Sequence, residues 1–253
     1  MTRTIAKAVL LAAGRGTRLG KLTESTPKPL LEVAGAPLIS HIVTALADAG
    51  IHEIAIVTGY LAEQLAAWCE WFNRAHPETR LIPIRQRELN GTAGAMLAAR
   101  EFLADEDTFV FGWGDVLMDR HNYSRFVAHA RSEPYDLLLA VNRTRDPWRG
   151  AAVYVDDRMR VVRIVEKPPP GTSTTNWNNA GLFAATRRLF DYVERLTPSA
   201  RGELELPQAI AAMGTDGLDV RAIDVRGFWS DVGTPEDLEA ARKRFRPGGE
   251  SKR

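Results

Sequence analysis

The stretch VLLAAGRGTRLGKLTESTPKPLLEV, residues 9–33, runs from an apolar segment straight into glycines, hydroxyl residues and cations, which is how phosphate-binding loops begin. Two familiar phosphate loops fail here on spacing. The pattern G-x-x-x-x-G-K-[ST] needs a glycine where Arg15 stands, and Leu22 follows Lys21, so the hydroxyl that would hold magnesium is missing. Gly14, Gly16 and Gly20 give G-x-G-x-x-x-G, one residue too long for the dinucleotide fingerprint, and positions 33–40 read VAGAPLIS, without the acidic residue that would hold a ribose. What remains is a glycine turn at the carboxyl end of the first strand, where α/β sheets bind ligands. Gly14 and Gly16 let backbone N–H groups approach a base or phosphate closely. Arg18 and Lys28 supply charge, Lys28 being held between Pro27 and Pro29. A solvated basic loop is the other reading of the same residues.

The elements that would position this loop follow from periodicity. KAVLLAA predicts a strand. PLISHIVTALADAG predicts a helix, because Leu38, Ile39, Ile42, Val43 and Leu46 keep helical spacing, Pro37 suits the first turn and Gly50 the stop. EIAIVTG, RLIPIRQ, TFVFGWGD and DLLLAVN predict further strands, separated by helices over AEQLAAWCEWFNRA, AGAMLAAREFLA and YSRFVAHARS. Beyond about residue 148 the pattern is more mixed: a hairpin turning at Asp156-Asp157, a strand at NAGLFAAT, two helices, the segment LDVRAIDVRGFWSDVG and a last helix, TPEDLEAARKRF. Alternating strands and helices imply an α/β chain with a Rossmann-like, mostly parallel or mixed sheet flanked by helices. One domain is expected over residues 1–245, with a flexible polar tail at 246–253.

Composition narrows the partners. Lys plus Arg at 33 against Asp plus Glu at 32 leaves a formal charge of +1. No global field therefore draws the chain to nucleic acid or membrane, and an anion must be held by local cations. A nucleic-acid binder also fails for want of an aromatic and basic patch. The N-terminus has only a short apolar run cut by Gly14 and Arg15, neither a signal peptide nor a spanning helix. Cys69 is the single cysteine. It excludes an internal disulfide, argues against a Cys-based metal site and reads as core filler in LAAWCEWF. A cytoplasmic protein is expected. Apolar helix stripes look alike whether they face a core or a second copy, so a homo-oligomer stays open.

LAAGRGTRL followed by TPKPLLEVAGAPLI resembles the signature of sugar-1-phosphate nucleotidyltransferases, the nucleoside-diphosphate-sugar pyrophosphorylases. NGTAGAML (90–97), GWGDVLMD (112–119), VEKP (165–168), NAGLF (179–183), RGELELPQAI (201–210) and WSDVGTPEDL (229–238) resemble further family segments and occur in the family's order, so the likeness covers about residues 7–245. It implies transfer of a nucleoside monophosphate from a nucleoside triphosphate to a sugar 1-phosphate. The sugar phosphate oxygen is already anionic at neutral pH, so catalysis comes from positioning and charge stabilisation. This accords with a chain that offers no Ser-His-Asp set and no H-E-x-x-H; His41, His52, His76, His121 and His129 are scattered and none is expected to be catalytic.

The resemblance implies roles by position. Arg18 grips the triphosphate and Lys28 meets phosphate near the reacting centre. Asp115 and Asp231, with phosphate oxygens, form a hard oxygen-only site for Mg²⁺. Lys167 meets the sugar phosphate and Glu166 the sugar hydroxyls; Gly150, Asn179, Gly181 and Glu203 match further sugar-side positions, while Glu205 reads instead as a helix-start carboxylate. Base contacts fall to the backbone at Ala12, Ala13 and Gly14 and to Gln86, Gly91 and Thr92, with Gln86 equally readable as a rim residue. Residues 1–148 would thus serve the nucleotide and 149–245 the sugar. Two positions depart from the family: Gly20-Lys21 replaces a bulky residue and proline, and Trp113 stands where asparagine commonly precedes Gly-Asp. The chain ends soon after this portion, so no left-handed β-helix is expected. Gln86 and RGELEL lean towards UTP or dTTP with a hexose 1-phosphate. GTAGA is the pattern of relatives that join GTP to mannose 1-phosphate, and CTP with a phosphoalcohol such as phosphocholine is the other alternative. A non-catalytic sensor of the same fold should have lost one of Arg18, Lys28, Asp115 or Asp231, and none is lost.

Overall fold

A computed structural model describes residues 3–246. In chain order the elements are β1 (Lys7–Leu11), β2 (Glu32–Val33), β3 (Ala36–Pro37), α1 (Leu38–Asp48), β4 (Glu53–Thr58), α2 (Ala62–Ala75), β5 (Arg80–Arg85), α3 (Thr92–Ala98), β6 (Thr108–Trp113), β7 (Leu117–Met118) and α4 (His121–Ser132). Then follow β8 (Leu137–Arg143), β9 (Ala151–Val155), β10 (Val161–Glu166), β11 (Trp177–Thr186), α5 (Arg188–Val193), α6 (Leu206–Thr215), β12 (Val220–Asp224), β13 (Trp229–Ser230) and α7 (Pro235–Arg244). Apart from Arg246, the expected tail lies outside the described residues.

One nine-stranded sheet, ordered β10-β9-β11-β6-β1-β4-β5 with β8 beside β11 and β12 beside β8, runs through the whole chain. The run β6-β1-β4-β5 is parallel. β11 then pairs antiparallel with β6, β8 and β9, so the sheet as a whole is mixed. Strand β1 shows why its sequence is apolar throughout: Ala8 and Leu10 pack into the core on one face of the sheet, Val9 and Leu11 into the core on the other. A strand covered on both faces cannot alternate with polar residues.

The site's location follows from chain order. From β1 the chain crosses to β4 on one side, and from β5 it returns past both to β6 on the other. The order reverses between β1 and β6, and the loops leaving their carboxyl ends cannot close over that crevice. Residues 12–23 and 114–116 are those loops.

Local differences from expectation are small. The helix read over AGAMLAAREFLA stops at Ala98, and residues 100–105 continue as turns. Pro37 stands just before α1, paired with Glu32 in a two-residue ladder, instead of inside the first turn. Cys69 is buried in the core, and burial pushes its thiol up to about 12. No described helix is long and apolar enough to cross a membrane.

Candidate active site

A cavity of about 790 Å³ opens at the crevice and takes in the loops after β1 and β6, β9–β11 and the approach to α6. At one end the backbone turns through Gly14 and Gly16. Gly16 has φ 65°, and a side chain there would press on Lys28 Cβ and Thr23 Cγ2 at 3.2 Å. Glycine is required at Gly20 as well, where φ is 57° and ψ −129°. The departure at Gly20-Lys21 thus gives this loop a bend that no bulky residue would adopt.

Lys28 is the centre of this end. Its side chain is 7% exposed. The ammonium donates to Asp115 Oδ2 at 2.7 Å and to the backbone carbonyl of Asp231 at 2.7 Å. Asp115 sits there because β6 ends at Trp113 and the Gly114 N–H donates to the Leu11 carbonyl, tying the turn to β1. Asp231 is folded back to it by the β7–β13 ladder, which pairs Trp229 with Met118 and Ser230 with Leu117. Arg18 Nη2 lies 3.9 Å from Asp231 Oδ2. Each carboxylate therefore faces a cation, and the Lys28 ammonium ties the Asp115 carboxylate to the Asp231 backbone. Among the described residues no three His, Cys, Asp or Glu side chains converge as a metal-binding group. Two carboxylates with oxygen-only donors suit Mg²⁺, which characteristically takes its remaining ligands from phosphates and water.

At the second end Gln86 is buried, not a rim residue. Its Nε2 donates to the Gly91 carbonyl and to Asn90 Oδ1, both at 3.1 Å. Both amide protons are then in use, leaving Oε1 as an acceptor. Ala13, Gly14, Gly91 and Thr92 line the same end. Two expected contacts are otherwise engaged. The Ala12 N–H donates to Val57, and Thr92 Oγ1 accepts from the Leu206 N–H at the start of α6.

The third group lies at the ends of β10 and β11. Lys167 has φ 42° and its N–H donates to the Gly150 carbonyl at 2.8 Å, which folds the EKP turn over Gly150. Glu166 lies 3.6 Å from Arg201 Nη2. Burial pushes its carboxyl up, opposed by the charges of Lys167 and Arg201. Glu203 lines the wall. Glu205 stands at the N-cap position of α6, as a helix-start residue, but its side chain makes no capping bond; it accepts from Arg201 Nη2 at 2.7 Å and from Ser199 Oγ at 2.7 Å. Burial raises its carboxyl, and those hydrogen bonds outweigh burial and hold it low. Gly181 is absent from the lining: its N–H donates to Asn179 Oδ1, and a Cβ there would run into the Trp113 indole. Its φ of 80° suits glycine alone. Trp113 takes the wall position instead, edge-on to Phe183 at 5.1 Å.

The cavity thus gathers Arg18, Lys28, Asp115, Asp231, Gln86, Gly150, Glu166, Lys167, Asn179 and Glu203. Arg15, Leu89, Asn178, Arg201 and Trp229 also line it and were not singled out by sequence. Arg201 stands two positions before Glu203 and was within reach of the same motif. Asn178 gave no signal at all.

The family description "Nucleotidyl transferase" matches residues 7–246. The chain is 33% identical to the UTP–glucose-1-phosphate uridylyltransferase AglF of Haloferax volcanii, over 94% of this chain and 96% of that one. It is 31% identical to the bifunctional protein GlmU of Methanococcus maripaludis over 94% of its own length, and spans only 54% of that relative. Its fold matches the structure of a UDP-glucose pyrophosphorylase complexed with UDP-glucose at a TM-score of 0.84 and 20% identity, covering 95% of this chain and 98% of the other. A glycine turn and two aspartates at the reversal of a mixed sheet, matched by one family over nearly the whole chain, establish that the protein belongs to the nucleotidyl transferase family.

Proposed function

We propose that this protein transfers a nucleoside monophosphate from a nucleoside triphosphate to a sugar 1-phosphate, releasing pyrophosphate, with UTP or dTTP and a hexose 1-phosphate as substrates. The observation that carries this reading is one cavity that sets a pair of cations at each end, Arg18 and Lys28 beside Asp115 and Asp231 at one, Lys167 and Arg201 beside Glu166, Glu203 and Glu205 at the other. Each fits a phosphate group, and one molecule of substrate does not require both. In the reaction a sugar phosphate oxygen forms a bond to the α-phosphorus while the bond from that phosphorus to the bridging oxygen breaks, and that oxygen leaves with pyrophosphate. The nucleophile is anionic, so no residue need remove a proton; the chain's task is to hold two anions in line and neutralise them.

Lys28 and Arg18 stabilise the triphosphate and the departing charge. Lys167 and Arg201 hold the sugar phosphate, and Glu166, Asn179 and Glu203 face the sugar. Asp115 and Asp231 would hold Mg²⁺, which when bound neutralises phosphate charge. Gln86 Oε1 and the backbone at Ala13, Gly14 and Gly91 face the base. Residues 1–148 serve mainly the nucleotide and 149–245 mainly the sugar. We place the reaction in the cytoplasm, where nucleoside triphosphates are supplied. The acceptor left free on Gln86 suits a base with a ring N–H donor, uracil and thymine N3–H or guanine N1–H, and the pyrimidine assignment draws its support from the relative named as a UTP–glucose-1-phosphate uridylyltransferase.

The test is pyrophosphate release across ATP, CTP, GTP, UTP and dTTP against glucose, mannose, galactose and N-acetylglucosamine 1-phosphates with Mg²⁺. Strong release with UTP or dTTP and one hexose phosphate is expected. A strong cell with GTP and mannose 1-phosphate would reassign both substrates, and a blank grid from folded protein would overturn the reading.

A further inference from the structure

The first turn of α6 finds its acceptors in an unusual place. Glu205 holds the N-cap position without a side-chain capping bond. Of the next three residues, Pro207 has no N–H, and the Gln208 N–H donates to the Glu205 carbonyl at 3.0 Å. The Leu206 N–H is left to an acceptor from outside the helix, and Thr92 Oγ1 supplies it at 2.9 Å. Two backbone bonds join the same segments: the Leu204 N–H donates to the Asn90 carbonyl at 2.7 Å, and the Ala93 N–H to the Leu204 carbonyl at 2.9 Å. Gly91 permits that approach, since a Cβ there would run into the Leu204 backbone. The loop at the base end and the segment carrying Glu203 and Glu205 are thus stitched together by three hydrogen bonds.

This stitch decides where the Glu205 carboxylate goes. A carboxylate at a helix start is drawn to the free N–H groups of the first turn. Here Thr92 takes the Leu206 N–H, and Glu205 Oε1 instead accepts from Arg201 Nε at 2.9 Å and from Arg201 Nη2 at 2.7 Å. Two bonds to one edge of the guanidinium fix its plane. Arg201 lines the cavity with Lys167, at the end proposed for the sugar phosphate.

We infer that Thr92, although it belongs to the base-side loop, is a positioning residue for the sugar phosphate: by accepting the Leu206 N–H it leaves Glu205 to hold Arg201. The inference rests on the proposed sugar-1-phosphate reaction. Removing the acceptor leaves the Leu206 N–H to compete with Arg201 for the Glu205 carboxylate. A base contact through the remaining hydroxyl proton is the rival role, and its loss would be felt by the nucleotide instead.

The experiment measures KM for each substrate, using the best nucleoside triphosphate and hexose 1-phosphate of the wild type. The variants are Thr92→Val, which keeps the shape and removes the acceptor, Thr92→Ser, Arg201→Ala, and Arg201→Ala combined with Thr92→Val. With Thr92→Val the KM for the sugar phosphate should rise about fivefold or more, in line with the loss of a helix cap, while the nucleotide KM stays unchanged. Thr92→Ser should restore the sugar phosphate KM, and in the Arg201→Ala background Thr92→Val should add nothing. A nucleotide KM that rises as much as the sugar phosphate KM would overturn the inference in favour of a base contact. Losses that multiply with Arg201→Ala, or two unchanged KM values, would overturn it in favour of a structural cap. Should Thr92→Val fail to fold, Thr92→Ala gives the same comparison. Absence of wild-type turnover with every sugar phosphate would instead bring down the reaction itself, and this inference with it.

Discussion

Replacing Lys28 with methionine isolates the charge at the phosphate end, because methionine keeps an unbranched stem against Gly16 and removes only the ammonium. In the wild type that ammonium sits 2.7 Å from Asp115 Oδ2 and 2.7 Å from the Asp231 carbonyl. A charge pair at this separation interacts by about 6 kcal/mol at an effective dielectric of 20. Asp115 is 35% exposed, so solvent screening leaves roughly a third of that, about 2 kcal/mol. Any cation seeking Asp115 in the free protein must displace Lys28 against this energy. Lys28→Met should therefore bind Mn²⁺ about 30-fold more tightly than wild type in the absence of nucleotide, although its turnover should fall by orders of magnitude. Titration of free Mn²⁺ by electron paramagnetic resonance reads the affinity without turnover. Equal affinity in the two proteins would refute the reasoning: either Asp115 is no metal ligand, or Lys28 does not compete for it.

Asp115→Asn keeps shape but removes a charge; kcat should drop on the order of 100-fold or more, and near-normal turnover in steady-state assays would sink the metal assignment. Gly181→Ala meets both a φ of 80° and the Trp113 indole, so thermal unfolding should show a loss of about 2 kcal/mol or more, with altered tryptophan fluorescence; an unchanged melting temperature would mean the loop repacks freely. Burial raises the Glu166 carboxyl above its ordinary value of 4.5, so its stabilising contribution is full below 4.5 and is lost as pH rises through the raised folded value. Glu166→Gln should remove that dependence, and the melting temperature of the variant relative to wild type should climb over that window; a constant difference would show that Arg201 and Lys167 cancel the burial.

The local loop chemistry and the element types were written in the sequence, because both depend on residues close together in the chain. The run KAVLLAA is apolar at every position since both faces of β1 are covered, and the glycines after it must turn. The hairpin at Asp156-Asp157 was legible for the same reason: Asp156 Oδ1 accepts from the N–H groups of Arg158 and Arg160 within the turn itself. Charges needed for a phosphate site could be named by type and family position. Their mutual arrangement could not. Lys28 and Asp115 are 87 positions apart and Lys28 and Asp231 203 apart, and only the reversal of strand order between β1 and β6, with the small β7–β13 ladder, makes them neighbours. Glu205 does begin α6, as its sequence position suggested, but only the fold turns its carboxylate onto Arg201 and Ser199. Thr92 reads as a base-side residue in sequence. Its bond to the Leu206 N–H spans 114 positions and exists because the fold lays the start of α6 along the loop before α3. Local patterns record burial and turn geometry, not which distant N–H a hydroxyl will meet.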